Sequence, residues 1–458
     1  MRPRPSTPYE NPGALAPIPP TSDSDLARRI EKPLLWGYQC LTAILIPILI
    51  ILALPYLLLN RKRRKTLLPR LGFCSYPKGK SEPLWIHALS VGEVLSASRL
   101  IHELRQQTDD HPLYLSVSTR AGYDIASAKL GDNTDALFYF PHDIPFIVNR
   151  CVRKIRPALF LLIETDIWPG FMAEIKRRGI PCLLLNGRLS NRTFRAYQRF
   201  WPLFRPALRS FRRIHPQSQF ESDRFLALGI PPESIGAAGN LKFDAVPPVC
   251  TAEETRILKS DLCLDPSHPV LLAGSTHGDE DPMILSVYHR LLQVRPNLKL
   301  IMVPRHPHRA QALRGEFEKL GLHPQFYSRP RKRGWAVLIV DSIGHLSRLY
   351  AVADLAFVGG SLVPHGGQNP IEPAAQGVPI LFGPDMSDFP DLARWLLEAG
   401  GAIRIHSAEE LHDECRKLLG DPERSRCMGE QARTVVLQHR GATQTIIKEI
   451  QDMLSTIK

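Results

Sequence analysis

Past residue 80 the chain returns again and again to short apolar stretches separated by helical patterns: Leu84 to Leu89, Leu113 to Val117, Ala136 to Phe140, Ala158 to Ile163 and Cys182 to Leu185. Stretches of this length with apolar residues at successive positions suit strands covered on both faces, and the intervening helices supply the cover. After Val246-Pro247-Pro248-Val249 the rhythm resumes with Val270 to Ala273, Leu298 to Val303, Ala336 to Val340, Leu355 to Val358 and Ile380 to Phe382. The pattern predicts an α/β protein of two Rossmann-like halves joined near residue 247. A length of 458 residues at 44% hydrophobic content also exceeds what one core holds. No repeat of solenoid length is present. In open α/β sheets ligands sit beyond the carboxyl ends of the strands, and the polar clusters below fall there.

Ahead of this body, Leu34 to Asn60 carries no charge, and Cys40 to Leu59 is almost wholly apolar. Twenty such residues can cross a hydrocarbon layer of about 30 Å. Arg61-Lys62-Arg63-Arg64-Lys65 follows at once and should keep the rest of the chain cytoplasmic. Pro47 and Pro55 leave a kinked or interfacial helix as the alternative. Residues 1–33, rich in Pro, Ser and charge, read as a disordered extension, and 34–60 as a membrane anchor helix. The formal charge of +13 is concentrated early, with thirteen Lys or Arg against four acids in the first 80 residues. A second basic stretch, Arg188 to Arg213, holds eight arginines and no acid, interleaved with Phe194, Tyr197, Trp201 and Phe204. Arg192, Arg195 and Arg199 recur on one helical face. Such a face could snorkel around lipid phosphates while the aromatics touch acyl chains, or it could be a solvated face over a packed core. The eight cysteines show no CxxC pair, so neither a zinc site nor a disulfide framework is indicated.

The chemistry-bearing motifs follow strands. Ser90-Val91-Gly92-Glu93 puts a carboxylate at a helix start, where it could take a proton from a hydroxyl or simply complement the helix dipole. Glu164-Thr165-Asp166-Ile167-Trp168 ends another strand and offers two more acids, for an acceptor sugar or for capping. In the second half, Ser275, His277, Arg305 and His306 stand after two successive strands as candidates for phosphate or an acidic donor. Gly359-Gly360-Ser361 through Asn369-Pro370-Ile371-Glu372 combines backbone amides, a hydroxyl, an amide and a carboxylate at a strand-to-helix junction, which suits a phosphate and a ribose. Asp279-Glu280-Asp281 matches a metal-holding Asp-x-Asp pattern but opens a helix, so capping is expected and no metal.

Taken in order, Trp85-Ile86-His87-Ala88 with Ser90-Val91-Gly92-Glu93, Glu164 to Pro169, Asn186-Gly187-Arg188-Leu189-Ser190, Gly239 to Asp244, Gly274 to His277, Pro304 to Pro307, Gly359 to Leu362 and Asn369 to Pro373 resemble the membrane-anchored 3-deoxy-D-manno-oct-2-ulosonic acid (Kdo) transferases of Gram-negative lipopolysaccharide synthesis. The resemblance implies a GT-B architecture, two Rossmann-like domains facing a cleft, with residues 61–246 as acceptor domain and 247–458 as donor domain. It implies an inverting, metal-independent enzyme without cofactor that moves Kdo from CMP-Kdo to the lipid A precursor (lipid IVA). Its partners would be CMP-Kdo, that precursor and inner-membrane phospholipid, with no nucleic acid, and its place the cytoplasmic side of the inner membrane. By the family pattern Glu93 is the general base. Glu164 and Arg120 lie on the acceptor side, together with the Arg192, Arg195 and Arg199 face. Lys242, Ser275, His277, Arg305, His306, Gly360, Ser361, Asn369 and Glu372 hold the donor. Gln368 departs from the histidine many members carry, and the N-terminal segment is longer than usual. The alternative is another membrane-associated GT-B enzyme with a UDP-sugar and a lipid-linked acceptor.

Overall fold

The computed structural model describes residues 25–52, 61–73, 76–77, 81–107 and 110–457. These form two compact units: residues up to Ala245 together with Gly441–Lys458, and Val246–Arg440. The first contains β1 (Leu84–Ala88), β2 (Leu113–Val117), β3 (Ala136–Tyr139), β4 (Leu159–Ile163), β5 (Cys182–Gly187) and β6 (Arg213–Pro216). They pair in the order β3-β2-β1-β4-β5-β6, all parallel. The second contains β7 (Val270–Thr276), β8 (Lys299–Pro304), β9 (Gln325–Phe326), β10 (Val337–Ile339), β11 (Leu355–Val358), β12 (Ile380–Phe382) and β13 (Ala402–Arg404). Their order is β13-β12-β11-β7-β8-β10-β9, again all parallel. The first order reverses beside β1 and β4; the second reverses beside β7 and β11, and at its far edge β10 inserts between β8 and β9. The loops leaving adjacent strands diverge at such a reversal and open a crevice at the carboxyl edge.

Period-two alternation sorts the side chains onto two faces. Leu84, Ile86 and Ala88 join one core with Leu113, Leu115, Val117, Leu159 and Leu161. Trp85, Tyr114 and Phe160 face the other way into an aromatic core with Phe138, Phe140 and Phe171. In the second sheet Leu271, Leu300 and Phe357 divide in the same manner from Leu272, Ile301 and Ala356. Every strand expected from the sequence is present. β6, β9 and β13 are additional edge strands.

Two boundaries differ from expectation. The last helix, Ala442–Ile457, belongs to the first unit rather than to the donor half. Its Ile446, Ile447, Ile450 and Met453 complete the core over β1 and β2. Its start is fixed by the buried Asp244 carboxylate, which accepts from the N–H of Gly441 at 2.8 Å and of Thr443 at 2.7 Å. The N-terminal helix runs Asp25–Leu52 and so begins inside the stretch expected to be disordered. Glu31 holds it there by an ion pair to the buried Arg205 at 2.9 Å. Residues 1–24 of that stretch, and 53–60 of the expected anchor, lie outside the described residues. Ile30–Leu49 is long and apolar enough to cross a membrane. The helix is nonetheless docked on its own unit: Tyr38 Oη donates to Asp143 Oδ2 at 2.7 Å, and Ile46 packs on Ile144, Ile147 and Cys151. Leu41, Ile44, Leu45, Ile48 and Leu52 stay exposed along the helix.

Candidate active site

Glu93 stands in the first turn of the helix Val91–Gln107, which leaves β1 through Leu89-Ser90. Its side chain turns back over that turn. Oε2 accepts from the Leu89 N–H and Oε1 lies 3.4 Å from the Ser90 hydroxyl, so the carboxyl group is fixed and only 6% of the residue is exposed. Glu164 follows β4, the neighbouring strand, in a left-handed conformation with φ 60°. For a residue with a Cβ that backbone costs about 1–2 kcal/mol, and such strain gathers where a side chain must be aimed. Asp166 comes two residues later. Its Oδ2 sits 3.1 Å from Nε2 of His87, whose ring is fully buried, stacked on Phe140, and held at Nδ1 by the Ser116 carbonyl and hydroxyl at 3.0 Å.

Three carboxyl groups thus gather beyond β1 and β4, and they are not equivalent. Glu164 is answered by Lys242 at 3.6 Å, and Asp166 by His87, with the charge of Arg70 also reaching it. Glu93 has hydrogen bonds but no ion pair among the described residues. Burial, then the negative charge of Glu164 and more weakly of Asp166, push its pKa up to about 8, against the hydrogen bonds from Leu89 and Ser90. A carboxyl group tuned near the working pH is suited to accept a proton from a hydroxyl.

Lys242, expected from the sequence on the donor side, lies in the first unit, on Leu241–Ala245, and pairs with Glu164 at 3.6 Å. Arg120 opens the helix Arg120–Leu130, half exposed, and the carboxylate it faces is Asp124 at 3.7 Å. On the helix Asn191–Arg199 the side chains of Arg192, Arg195 and Arg199 are exposed and make no ion pair among the described residues. The aromatics between them do not form an outward face. Phe194, Tyr197 and Trp201 are buried in the aromatic core, while Phe200 faces outward with Arg192, Arg195 and Arg199.

In the second unit Ser275, at the end of β7, is also left-handed, with φ 55°. The strand-end backbone passes so close that a Cβ on Gly359 would lie 2.6 Å from the Ser275 carbonyl oxygen. His277 follows, its ring stacked on His365 at 4.2 Å between centroids and edge-on to His306 at 6.3 Å. Burial, and then the positive charge of His365, lower its pKa, with His306 and Arg305 acting in the same direction. An anion arriving here would relieve that repulsion. Arg305 and His306 are exposed at the end of β8.

Gly360 and Ser361 do not present themselves to a ligand. The fully buried Glu280 carboxylate accepts from the N–H groups of Gly360 at 2.7 Å, Ser361 at 3.0 Å and Leu362 at 3.1 Å, and from His277 N–H at 3.0 Å. The anion hole expected there is already filled from within the chain. The Ser361 hydroxyl, also buried, donates to the Val358 carbonyl and accepts from Gly383 N–H. Asn369 Oδ1 accepts from Ile371 N–H at 3.0 Å, capping the short helix Ile371–Ala375 that carries the half-buried Glu372. The acidic triplet 279–281 signals capping in the sequence. That Glu280 would reach amides eighty residues further on had no local signal, and neither did the His87–Asp166 pair.

Two parallel sheets, each with its polar residues at the carboxyl edge beside the reversal of strand order, define the GT-B class of glycosyltransferase fold. A glycosyltransferase from Rickettsia africae has this fold at TM-score 0.55 and 12% identity, over 83% of this chain and 100% of its own. The sequence profile described as 3-deoxy-D-manno-octulosonic-acid transferase (kdotransferase) matches residues 65–245. The 3-deoxy-D-manno-octulosonic acid transferase of Haemophilus influenzae is 32% identical over 404 residues, 85% of this chain and 92% of the relative. That of Bordetella pertussis is 30% identical over 394 residues, 82% and 89% respectively. The chain belongs to the Kdo transferase family.

The raised pKa of Glu93 is also a statement about stability. Between its usual 4.5 and about 8 the folded protein keeps a proton that the unfolded chain has lost, so stability falls as pH rises through that window. Glu93→Gln removes this slope while keeping an acceptor for Leu89. Urea unfolding at pH 9 should find the variant more stable than the wild type by roughly 1–3 kcal/mol, with the gap closing toward pH 4.5.

Proposed function

We propose that the enzyme transfers Kdo from CMP-Kdo to the lipid A precursor lipid IVA with inversion, using Glu93 as general base and no metal. The observation that carries the reading is a buried carboxyl group, without an ion pair among the described residues and pushed up to about 8, beside Glu164, which pairs with Lys242, and Asp166, which is bonded to His87. The ionised Glu93 takes the proton of an acceptor hydroxyl as its oxygen bonds to the anomeric carbon of Kdo. The bond from that carbon to the CMP phosphate oxygen breaks, and CMP leaves with the electron pair. Inversion follows from a single displacement. Lys242 holds Glu164 in place and lessens its repulsion of the ionised Glu93. The phosphate of CMP meets Arg305 and the imidazole N–H groups of His277 and His306, which stabilises the leaving group as its charge develops. Ser275 and Asn369 offer hydrogen bonds to the donor, and Glu372 a carboxylate for the ribose.

The N-terminal helix supplies the location. Because Glu31, Tyr38 and Ile46 bind its own unit, the helix lies along the inner membrane surface on its exposed apolar stripe rather than crossing the bilayer alone. The basic run at 61–65 then favours the cytoplasmic leaflet, where Arg192, Arg195 and Arg199 meet phosphates of phospholipid or of the acceptor.

Purified protein given CMP-Kdo and a tetraacylated lipid A precursor in EDTA should release CMP and yield lipid heavier by Kdo. The rate should rise with pH up to about 8 and level off, because the base acts only when ionised. Glu93→Gln should lower turnover by about 10²–10⁴-fold. Substantial turnover in that variant would remove Glu93 from the mechanism. Intact donor with folded protein would instead favour a UDP-sugar. Replacing Arg192, Arg195 and Arg199 together by Ala should raise the KM for lipid and leave the KM for CMP-Kdo alone. Equal change in both would remove them from acceptor docking.

A further inference from the structure

At the amino edge of the second sheet the strands start from a basic surface. β7 is preceded by Asp265 and His268, β8 opens on Lys299, and β10 follows Arg333 and Trp335. The helix Ala252–Asp261 adds Lys259. Together these groups line a pocket of about 910 Å³, within the range of sites that hold small ligands. All strands of the sheet are parallel, and the length of β7 separates this edge from Ser275 and His277 by about 20 Å. The pocket is therefore distinct from the donor residues.

Its most telling member is Lys299. The residue is only 7% exposed, yet its ammonium makes no hydrogen bond and no ion pair among the described residues. Burial lowers its pKa, against the attraction of Asp265. The Lys299 stem is buried and its ammonium head opens on the cavity without a bond from the described residues, which leaves that head available to an anion. Lys259 and Arg333 line the same cavity and are likewise free of ion pairs among the described residues. Asp265 is the acid of the lining: one oxygen accepts from the Ser267 N–H at 2.9 Å and hydroxyl at 2.7 Å, and its charge offsets part of that of Lys299, Arg333 and His268, leaving the cations in excess. Trp335 is a fixed apolar wall, since its indole N–H donates to the Leu262 carbonyl at 2.7 Å.

We propose that this pocket binds a small phosphorylated solute, its phosphate answered by Lys299, Lys259 and Arg333 and its remainder lying against Trp335 and Leu264. Three cations around one concavity suit a group of two negative charges better than a lone carboxylate. A walled pocket of this volume suits a molecule of sugar-phosphate or nucleotide size rather than a duplex or a protein surface.

Calorimetric titration of the full chain with inorganic pyrophosphate, in about 0.15 M salt to screen diffuse attraction, tests this. Lys299→Met should weaken binding about tenfold or more, and Arg333→Gln several-fold, whereas Arg305→Met, in the donor region, should leave this binding phase unchanged. Arg333 is exposed, so its variant keeps the test valid if Lys299→Met fails to fold. Absence of binding, or binding insensitive to Arg333→Gln, overturns the proposal. Sedimentation with phosphatidylglycerol vesicles should be unaffected by either substitution. Loss of vesicle binding in both would reassign the site to lipid headgroups and overturn the soluble-ligand claim.

Discussion

Negative charge gathered beyond the adjacent strands β1 and β4 is the constraint on which the first unit's chemistry depends. Three carboxyl groups so placed cannot all ionise freely in a partly buried setting. The chain resolves this unequally. Glu164 receives Lys242, and Asp166 receives the buried His87, whose ring is itself fixed by Ser116 and Phe140. Glu93 is buried without an ion pair among the described residues, and its burial together with the charge of Glu164 and Asp166 pushes its pKa up to about 8. The Glu93 side chain, folded back over the first turn of the helix Val91–Gln107, is held in that burial by Leu89 and Ser90.

The second unit shows the complementary electrostatics. His277, His306 and Arg305 stand together at the ends of β7 and β8, where the arginine charge and the imidazole N–H groups are available to an anion. Meanwhile the amides after β11, which resemble an anion cradle, are taken by Glu280. That carboxylate ties the loop after β7 to the loop after β11 across the strand-order reversal. The glycine-rich segment thus contributes shape and rigidity, and the ligand chemistry passes to the side chains around it.

Much of this was legible in the sequence. Ten apolar stretches of strand length mapped onto ten strands because full burial on both faces leaves a composition signal that needs no partner to be seen. The three strands without such a signal, β6, β9 and β13, are short edge strands in which Arg213, His215, Pro216, Gln325 and Arg404 dilute the pattern. Glu93, Glu164 and Arg305 drew notice in the sequence as polar residues after predicted strands, and the structure places each just beyond a strand end. What stayed hidden is long-range: the pairing of Lys242 with Glu164, the reach of Glu280, and the return of the last helix to the first unit through Asp244. The segment from Phe194 to Phe204 misled for a related reason. Helical spacing separates its arginines from its aromatics, but spacing alone does not say whether an aromatic face meets lipid or a core. The aromatic core behind β4 and β5 decided it.

The account turns on the protonation of one side chain, which can be read directly. With carbon-13 placed in the glutamate carboxyl groups and Glu93 assigned by comparison with a Glu93→Gln sample, its resonance can be followed from pH 4 to 10. A midpoint near 8 that moves down when Glu164 is replaced by Gln is the predicted result. A midpoint near the usual 4.5, or one indifferent to Glu164, would contradict the arrangement of charge described for this site.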